Sequence, residues 1–126
     1  MLDRSKTPYW GVVFDTPDPV GLAHFYANLL GWKIHKENEG WTTVAAPDGV
    51  SYLGFQLSPE HVPPVWPPEE GRQQQMLHLD IEVGGLDAAV AEAVALGAAL
   101  AGHQPQEKVR VLLDPAGHPF CLYVNE

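Results

Sequence analysis

Hydrophobic and polar residues follow two kinds of pattern along the chain, one typical of strands and one of helices. These patterns predict the order of its secondary structure. The stretch "YWGVVFDT", residues 9–16, is rich in aromatic and β-branched side chains and ends at the turn-forming "PDP", which is typical of a strand. Asp18 followed by Pro19 favours a helix start, apolar residues at helical spacing continue to Leu30, and Gly31 predicts the helix end. The chain therefore begins with a strand and an amphipathic helix.

Three short strand candidates follow this helix. They are "WKIHKE" from Trp32, "GWTTVAAP" from Gly40 and "SYLGFQL" from Ser51. Because the separators "NEG" and "PDG" are tight-turn sequences, these strands are predicted to form an antiparallel meander.

The same pattern starts again after a proline-rich stretch. Residues 58–75 contain five prolines and no helical or strand period, so they predict a semi-rigid linker. Next, "MLHLDIEV", residues 76–83, alternates strictly and predicts a strand with Leu77 on its apolar face and His78 on its polar face. A second helix is predicted from Leu86, followed by strands at 98–103, from Glu107, and in the closing "DPAGHPFCLYV".

An order of strand, helix and three strands thus occurs twice, with about 50 residues in each copy. The predicted fold class is α+β, with two βαβββ modules inside a single domain. Module one is predicted at about residues 8–57, the linker at 58–75 and module two at 76–125. Because one helix covers one sheet face only, the second copy or another chain must help cover the other face.

Composition narrows the possible functions. The 126 residues suit one domain, and a single cysteine excludes an internal disulfide. The net charge of -9 argues against nucleic-acid and anionic membrane partners, since both carry negative charge. The N-terminal "MLDRSKTPYW" lacks the apolar run of a signal peptide, so the chain is predicted to be cytoplasmic.

Several motifs in this order resemble those of the vicinal oxygen chelate superfamily, and in particular its glyoxalase-like proteins. They are "DTPDPVGLAHFYANLLGWKI", "RQQQMLHLDIEV", "AVALGA" and "LLDPAGHPFCLYV". The resemblance, which covers the chain from about Trp10 to Val124, implies that the sheets of the two modules curl into a cup with the helices outside and a ligand inside. Metal-using members of this group, which includes bleomycin resistance proteins and extradiol dioxygenases, hold a divalent ion on the first and last strands of each module.

Few of the residues at these metal-ligand positions can bind a metal in this chain. In module one they fall on Gly11 and on Gly54 or, with a shift of one pair, Gln56; in module two they fall on His78 and Cys121. Glycine offers no ligand, and two firm ligands are fewer than the three usual in catalytic zinc sites. The prediction is therefore no metal and no cofactor, with a divalent ion as the less favoured alternative.

Seven residues are predicted to line a ligand pocket, and no catalytic residue is predicted. They are His78, Gln56, Asp80, Cys121, Tyr123, Trp41 and Trp66. Asp80 is close enough in sequence to orient His78, and tryptophan rings can stack on planar ligands. The alternatives are a structural histidine on a polar sheet face and a Trp41 that only fills the core.

The closing stretch places His118 and Cys121 three residues apart, a spacing that suggests a joint site. On a strand, residues three apart point to opposite faces, so these two side chains cannot share a ligand. Phe120 and Leu122 are predicted to face the helix, and Cys121 and Tyr123 the cup.

Three functions remain open at this point. The first is a metal-free protein that binds or sequesters a small, partly aromatic molecule, in the manner of resistance proteins. The second is a metal-dependent lyase, isomerase or dioxygenase with an atypical ligand set that uses His78. The third is a module whose cup is filled by its own side chains. In each case the family habit of pairing modules predicts a homodimer.

Overall fold

A computed structural model describes residue 6 and residues 9–125 of the chain. Residue 8, the predicted start of module one, lies outside the described residues. The chain divides into two compact units, with the boundary between His61 and Val62. Below, module one means the residues up to His61 and module two the residues from Val62 onward.

Module one contains one helix and a four-stranded sheet. Its elements are β1 (Trp10–Thr16), α1 (Pro19–Leu30), β2 (Lys33–Lys36), β3 (Trp41–Ala45) and β4 (Ser51–Leu57). The strand order is β1-β4-β3-β2, in which β1 runs parallel to β4 and the other pairs are antiparallel. The predicted antiparallel meander is confirmed.

Module two repeats this arrangement. Its elements are β5 (Asp80–Glu82), α2 (Leu86–Leu96), β6 (Ala99–Leu100), β7 (Val109–Leu113) and β8 (Pro119–Tyr123). The strand order β5-β8-β7-β6, with β5 parallel to β8, is the order of module one. The predicted α+β fold with two βαβββ modules is therefore confirmed.

The ends of α1 follow the predicted signals. The Asp18 carboxylate accepts a hydrogen bond of 3.0 Å from the Gly21 N–H and so caps the first turn. At the other end Gly31 adopts a left-handed conformation with φ of 71°, and the Trp32 N–H donates to the Ala27 carbonyl.

An aromatic cluster holds α1 against the sheet of module one. Tyr26 of the helix is fully buried, and its ring lies 5.1 Å from that of Phe14 and 5.8 Å from that of Phe55. Phe25 packs edge-on against Tyr26 at 4.9 Å. These rings form the core between α1 and one face of the sheet, and they hold in place the strands whose other side chains form the opposite face.

The helix of module two is less completely covered. Ala93 is fully buried, whereas Val94 of the predicted apolar stripe is 46% exposed. Within residues 9–125, neither helix is long and apolar enough to cross a membrane.

Strand β5 is shorter than the alternating pattern predicts. It spans only Asp80–Glu82, and Met76 and Leu77 are 77% and 75% exposed, so the prediction of a strand from residue 76 was wrong. The Cys121 N–H donates to the Leu79 carbonyl at 2.8 Å, but the next donor down β8 would be Pro119, which has no N–H. The ladder therefore stops after that bond.

The proline-rich segment also differs from the predicted spacer. Residues 58–79 contain no helix or strand, as expected, but from Val62 onward they belong to module two. The Trp66 indole N–H donates to the His103 carbonyl at 2.9 Å, and the Val65 N–H donates to the Gln73 carbonyl at 3.0 Å. This segment thus folds onto module two and supplies part of its site.

Candidate functional site

Three potential donor side chains meet where β5 and β8 lie side by side in module two. Asp80 is directly opposite Cys121 in the parallel register, so both side chains lie on the same face. The Nε2 atom of His78, two residues before Asp80, lies 3.1 Å from Asp80 Oδ1. One ligand atom from each of the three residues lies within 4.8 Å of the other two. The structure therefore brings His78, Asp80 and Cys121 together, as the alternation predicts.

The thiol of Cys121 is held in its protonated form. Burial is the main cause that raises its pKa to about 11, and the negative charge of Asp80 and a hydrogen bond to that carboxylate raise it further. The thiol therefore donates to Asp80. Because the thiolate is the nucleophilic form, a protonated Cys121 is a poor candidate for a nucleophile at neutral pH.

A cavity of about 130 Å³ adjoins this cluster. It is lined by Trp66, Gln75, His78, Pro105, Gln106, Val109, Val111, Pro119 and Cys121. The Trp66 ring is fixed by its hydrogen bond to the His103 carbonyl. The cavity thus has apolar walls with a few polar groups, which is the usual character of a ligand site.

One polar atom beside the cavity has no hydrogen bond. The Oε1 atom of Gln75 is buried and has no hydrogen-bond partner among the residues that the structure describes. A buried acceptor without a donor is energetically unfavourable, so such an atom is notable in a site that could admit a ligand.

Sequence reasoning did not identify every lining residue. Val111 lies opposite Cys121 and Val109 opposite Tyr123 in the antiparallel pairing of β7 with β8, so the alternation on these strands could have located both valines. Gln75, at the end of the proline-rich segment, carries no such signal. Its place is set by how that segment folds back.

Tyr123, another predicted pocket residue, lies at the end of β8 opposite Glu82 and is partly exposed. It is not among the residues that line the cavity. Its role in a pocket stays a prediction.

The two glycines at the expected ligand places of module one lie beneath aromatic rings. A Cβ atom at Gly11 would lie 2.6 Å from Cδ2 of Tyr52, and one at Gly54 would overlap Cη2 of Trp41 and lie 3.0 Å from its Cζ3. Each ring occupies the space that a side chain would need. Trp41 is therefore packed across its own sheet, which favours the structural interpretation of this residue.

Gln56 is also engaged within module one. Its side-chain N–H donates to Asp15 Oδ1 at 2.6 Å, and the two residues are register partners on β4 and β1. Both side chains are exposed, so Gln56 as a pocket residue stays a prediction.

The ligand set that the family uses for metal does not fit this chain. Gly11 and Gly54 have no donors, and rings fill the space above them. The ligand places of module two do carry side chains that can bind metal, His78 and Cys121, and these two lie together with Asp80 within that module.

His118 belongs to a turn and not to the cavity. Its Nδ1 lies 2.9 Å from Asp114 Oδ2, and its backbone N–H donates to Asp114 Oδ1 at 3.0 Å. Phe120 and Leu122 are 0% and 1% exposed, whereas Cys121 is partly exposed, so the predicted alternation along β8 is confirmed.

A family model described as a glyoxalase-like domain matches residues 11–123 of the chain. The chain belongs to the glyoxalase-like family. It is thus a member of the vicinal oxygen chelate superfamily, as its motifs indicate. Among curated proteins, no sequence matches the chain.

Solved structures share the fold of this glyoxalase-like protein at low identity. A glyoxalase/bleomycin resistance protein/dioxygenase family enzyme from Burkholderia phytofirmans PsJN is 20% identical, with a TM-score of 0.67 over 90% of this chain and 95% of that chain. A glyoxalase/dioxygenase from Nostoc punctiforme is 21% identical, with a TM-score of 0.64 over 92% and 89%. The bleomycin-binding protein of bleomycin-producing Streptomyces verticillus, in complex with copper(II)-bleomycin, is 18% identical, with a TM-score of 0.59 over 100% of both chains.

Proposed function

We propose that this glyoxalase-like protein binds a small organic molecule in the cavity of module two, and that binding requires no metal ion. The observation that carries the proposal is the cavity itself, in which Trp66, two prolines and two valines surround a few polar groups. At about 130 Å³ it encloses one part of a ligand, since cavities for whole drug-sized molecules are about 300–1,000 Å³.

The fold is compatible with sequestration. The Streptomyces verticillus protein with a similar fold binds copper(II)-bleomycin. Sequestration requires affinity alone, so the lack of metal-ligating side chains at Gly11 and Gly54 does not weaken this role. The role proposed for such binding is sequestration, as in resistance proteins.

Two features support binding without metal. In module one the Tyr52 and Trp41 rings cover the ligand places at Gly11 and Gly54, and the alternative place, Gln56, donates its amide N–H to Asp15. In module two the Asp80 carboxylate already accepts from the Cys121 thiol and lies 3.1 Å from His78 Nε2, so these groups satisfy one another.

A thermal-shift screen of aromatic antibiotics and metabolites on EDTA-treated protein tests the proposal. A ligand that binds the folded state raises the melting temperature, and replacing Trp66 by Ala should remove that rise. Replacing Trp10 by Ala is the matched control, because Trp10 is 57% exposed on module one. The proposal fails if no compound stabilises the protein, or if the Trp10 and Trp66 variants respond alike.

A second candidate function is a metal-dependent lyase, isomerase or dioxygenase. The grouping of His78, Asp80 and Cys121 favours it, because imidazole, carboxylate and thiolate are all metal ligands. Metal analysis of untagged protein decides between the two. A stoichiometric divalent ion that is lost in both His78→Ala and Cys121→Ser would support the second candidate and contradict metal-free binding.

We further propose that the protein acts in the cytoplasm as a homodimer. The grounds are the family habit of pairing modules and the open sheet face that a single helix leaves in each module. Light scattering on the purified chain tests the dimer, and a mass equal to one chain of 13.8 kDa would contradict it.

A further inference from the structure

Asp80 determines which nitrogen of His78 can accept a hydrogen bond. Its Oδ1 lies 3.1 Å from His78 Nε2, and a carboxylate oxygen can only accept, so Nε2 carries the hydrogen. In the neutral ring the other nitrogen, Nδ1, then keeps its lone pair. His78 lines the cavity, so a ligand that reaches this nitrogen would meet an acceptor.

Two further groups at the cavity bear on the ligand class. Cys121 uses its thiol hydrogen on Asp80, and Gln75 holds a buried carbonyl oxygen without a donor. None of the residues that line the cavity, all of them within the described range, is a lysine or arginine. The cavity therefore offers the Gln75 oxygen as an acceptor that lacks a donor, beside the amides of Gln75 and Gln106, and its described lining holds no lysine or arginine for an anion.

Size limits the ligand further. The cavity volume of about 130 Å³ is close to the ~150 Å³ of an apolar protein cavity that holds one benzene molecule. The fixed Trp66 ring and the valines of β7 suit the faces of such a ring.

We propose that the cavity takes a single planar ring that carries an N–H donor group of the amidine or amine type, and that Asp80 is the positioning residue that presents His78 as its acceptor. The inference rests on the proposed binding function and specifies its ligand class. A ring with a carboxylate in place of the donor group should bind less tightly, because no lysine or arginine of the described residues lines the cavity and the Gln75 oxygen would still lack a donor.

Three ring compounds of similar size test this ligand class. Benzamidine carries a cationic donor group, benzamide a neutral amide and benzoate an anion. In titrations of EDTA-treated, ¹⁵N-labelled protein, benzamidine should shift the amide signals of Gln75, Val109 and Cys121 and bind about tenfold more tightly than benzoate. Equal or tighter binding of benzoate, or shifts confined to other residues, would overturn the inference.

The role of Asp80 is tested with a matched pair of variants. Asp80→Ala removes the partner of His78, whereas Glu82→Ala removes an equal charge from the same face of β5. Nitrogen-15 shifts of the His78 ring should show Nε2–H in the wild type and in Glu82→Ala, and a mixture of tautomers in Asp80→Ala. Benzamidine affinity should fall about fivefold in Asp80→Ala and stay within about twofold in Glu82→Ala.

The results separate this inference from the proposed function. If benzamidine fails to bind but another compound of the thermal-shift screen binds and depends on Trp66, the ligand class is wrong and the binding function stands. If no compound binds at all, both are wrong. Asp80→Asn serves as a second variant in case Asp80→Ala does not fold. If the His78 tautomer is unchanged in a folded Asp80 variant, only the positioning role of Asp80 is refuted.

Discussion

The carboxylate of Asp80 lies beside the thiol of Cys121 on the neighbouring parallel strand and accepts its hydrogen bond. This contact occurs at one of the places where metal-using relatives of the superfamily carry a ligand. Here the negative charge favours the protonated thiol and disfavours the thiolate. The contact therefore opposes nucleophilic chemistry at Cys121 at neutral pH.

The first prediction concerns the reactivity of Cys121. Alkylation by iodoacetamide should be slow at neutral pH and accelerate only as the pH approaches the raised pKa of about 11. Asp80→Asn should lower this pKa toward the ordinary value of 9.0 without reaching it, because burial, the largest cause, remains. The rate of alkylation against pH measures this, with Glu82→Gln as the control of equal charge. A midpoint near 9 in the wild type would contradict the prediction.

The raised pKa also predicts how stability changes with pH. Between about 9 and about 11 the folded protein holds a proton on Cys121 that the unfolded chain has released. The contribution of this thiol to the free energy of unfolding is thus complete below the pKa of the unfolded chain, 9.0, and is lost as the pH rises through the pKa of the folded protein, about 11. Urea unfolding across this range should show a steeper decline for the wild type than for Cys121→Ser.

The second prediction tests the packing of Trp41 over Gly54. In Gly54→Ala the new methyl group would overlap the Trp41 ring, so the free energy of unfolding should fall by about 1–3 kcal/mol. Gly40→Ala is the matched control, since the nearest atom to its new Cβ, Oδ1 of Asn38, lies 3.6 Å away. Urea unfolding followed by tryptophan fluorescence provides the measurement.

A double variant identifies the cause of that loss. In a Trp41→Ala background the Gly54→Ala change should cost little, because the ring that it meets is gone. A cost that persists unchanged would show that backbone freedom at Gly54, and not the ring, accounts for the effect.

The sequence predicts most of the fold because local signals agree with the tertiary structure. The Asp18 cap, the Gly31 stop and the turns of module one each act over a few residues, and the strands between them fall where the alternation puts them. The His78, Asp80 and Cys121 cluster follows from alternation once β5 is known to lie beside β8.

Other features depend on contacts that no local pattern encodes. Alternation extends back to Leu77, yet the ladder stops at Leu79, because the next donor position on β8 is Pro119, which has no N–H. Trp66 and Gln75 reach the cavity because the proline-rich segment folds back onto module two. The rings over Gly11 and Gly54 could not be predicted from glycine alone, since a glycine does not indicate which neighbour will occupy its free space.

The third prediction distinguishes the observed start of β5 from the longer strand that the alternation favours. Because Leu77 is 75% exposed, Leu77→Ala should change the free energy of unfolding by no more than about 0.5 kcal/mol. Leu122→Ala removes the same atoms from a side chain that is 1% exposed and should cost about 2–5 kcal/mol. Equal losses in urea unfolding would show that Leu77 is packed in the core after all.

The fourth prediction concerns Asp114 and His118, whose contacts hold the turn before β8 together. Asp114 is 4% exposed, and its carboxylate accepts from the backbone N–H groups of Ala116 and His118 and contacts the His118 ring at 2.9 Å. Asp114→Ala would remove the hydrogen bonds of these part-buried groups to a buried carboxylate and should cost about 2–4 kcal/mol. Because the turn aligns the start of β8, the variant should also broaden the amide signal of Cys121.

Asp48 offers a control for this last experiment, since its exposed carboxylate also accepts from two backbone N–H groups, those of Val50 and Ser51. Water can replace the carboxylate there, so Asp48→Ala should cost clearly less than Asp114→Ala. The free energy of unfolding lost in His118→Gln should lie between the losses in these two variants, because it removes the contact of the ring with Asp114 and keeps the backbone hydrogen bonds. If Asp114→Ala and Asp48→Ala destabilise the protein equally, the buried carboxylate does not organise the turn, and the position of Cys121 must be set by the β7 and β8 pairing alone.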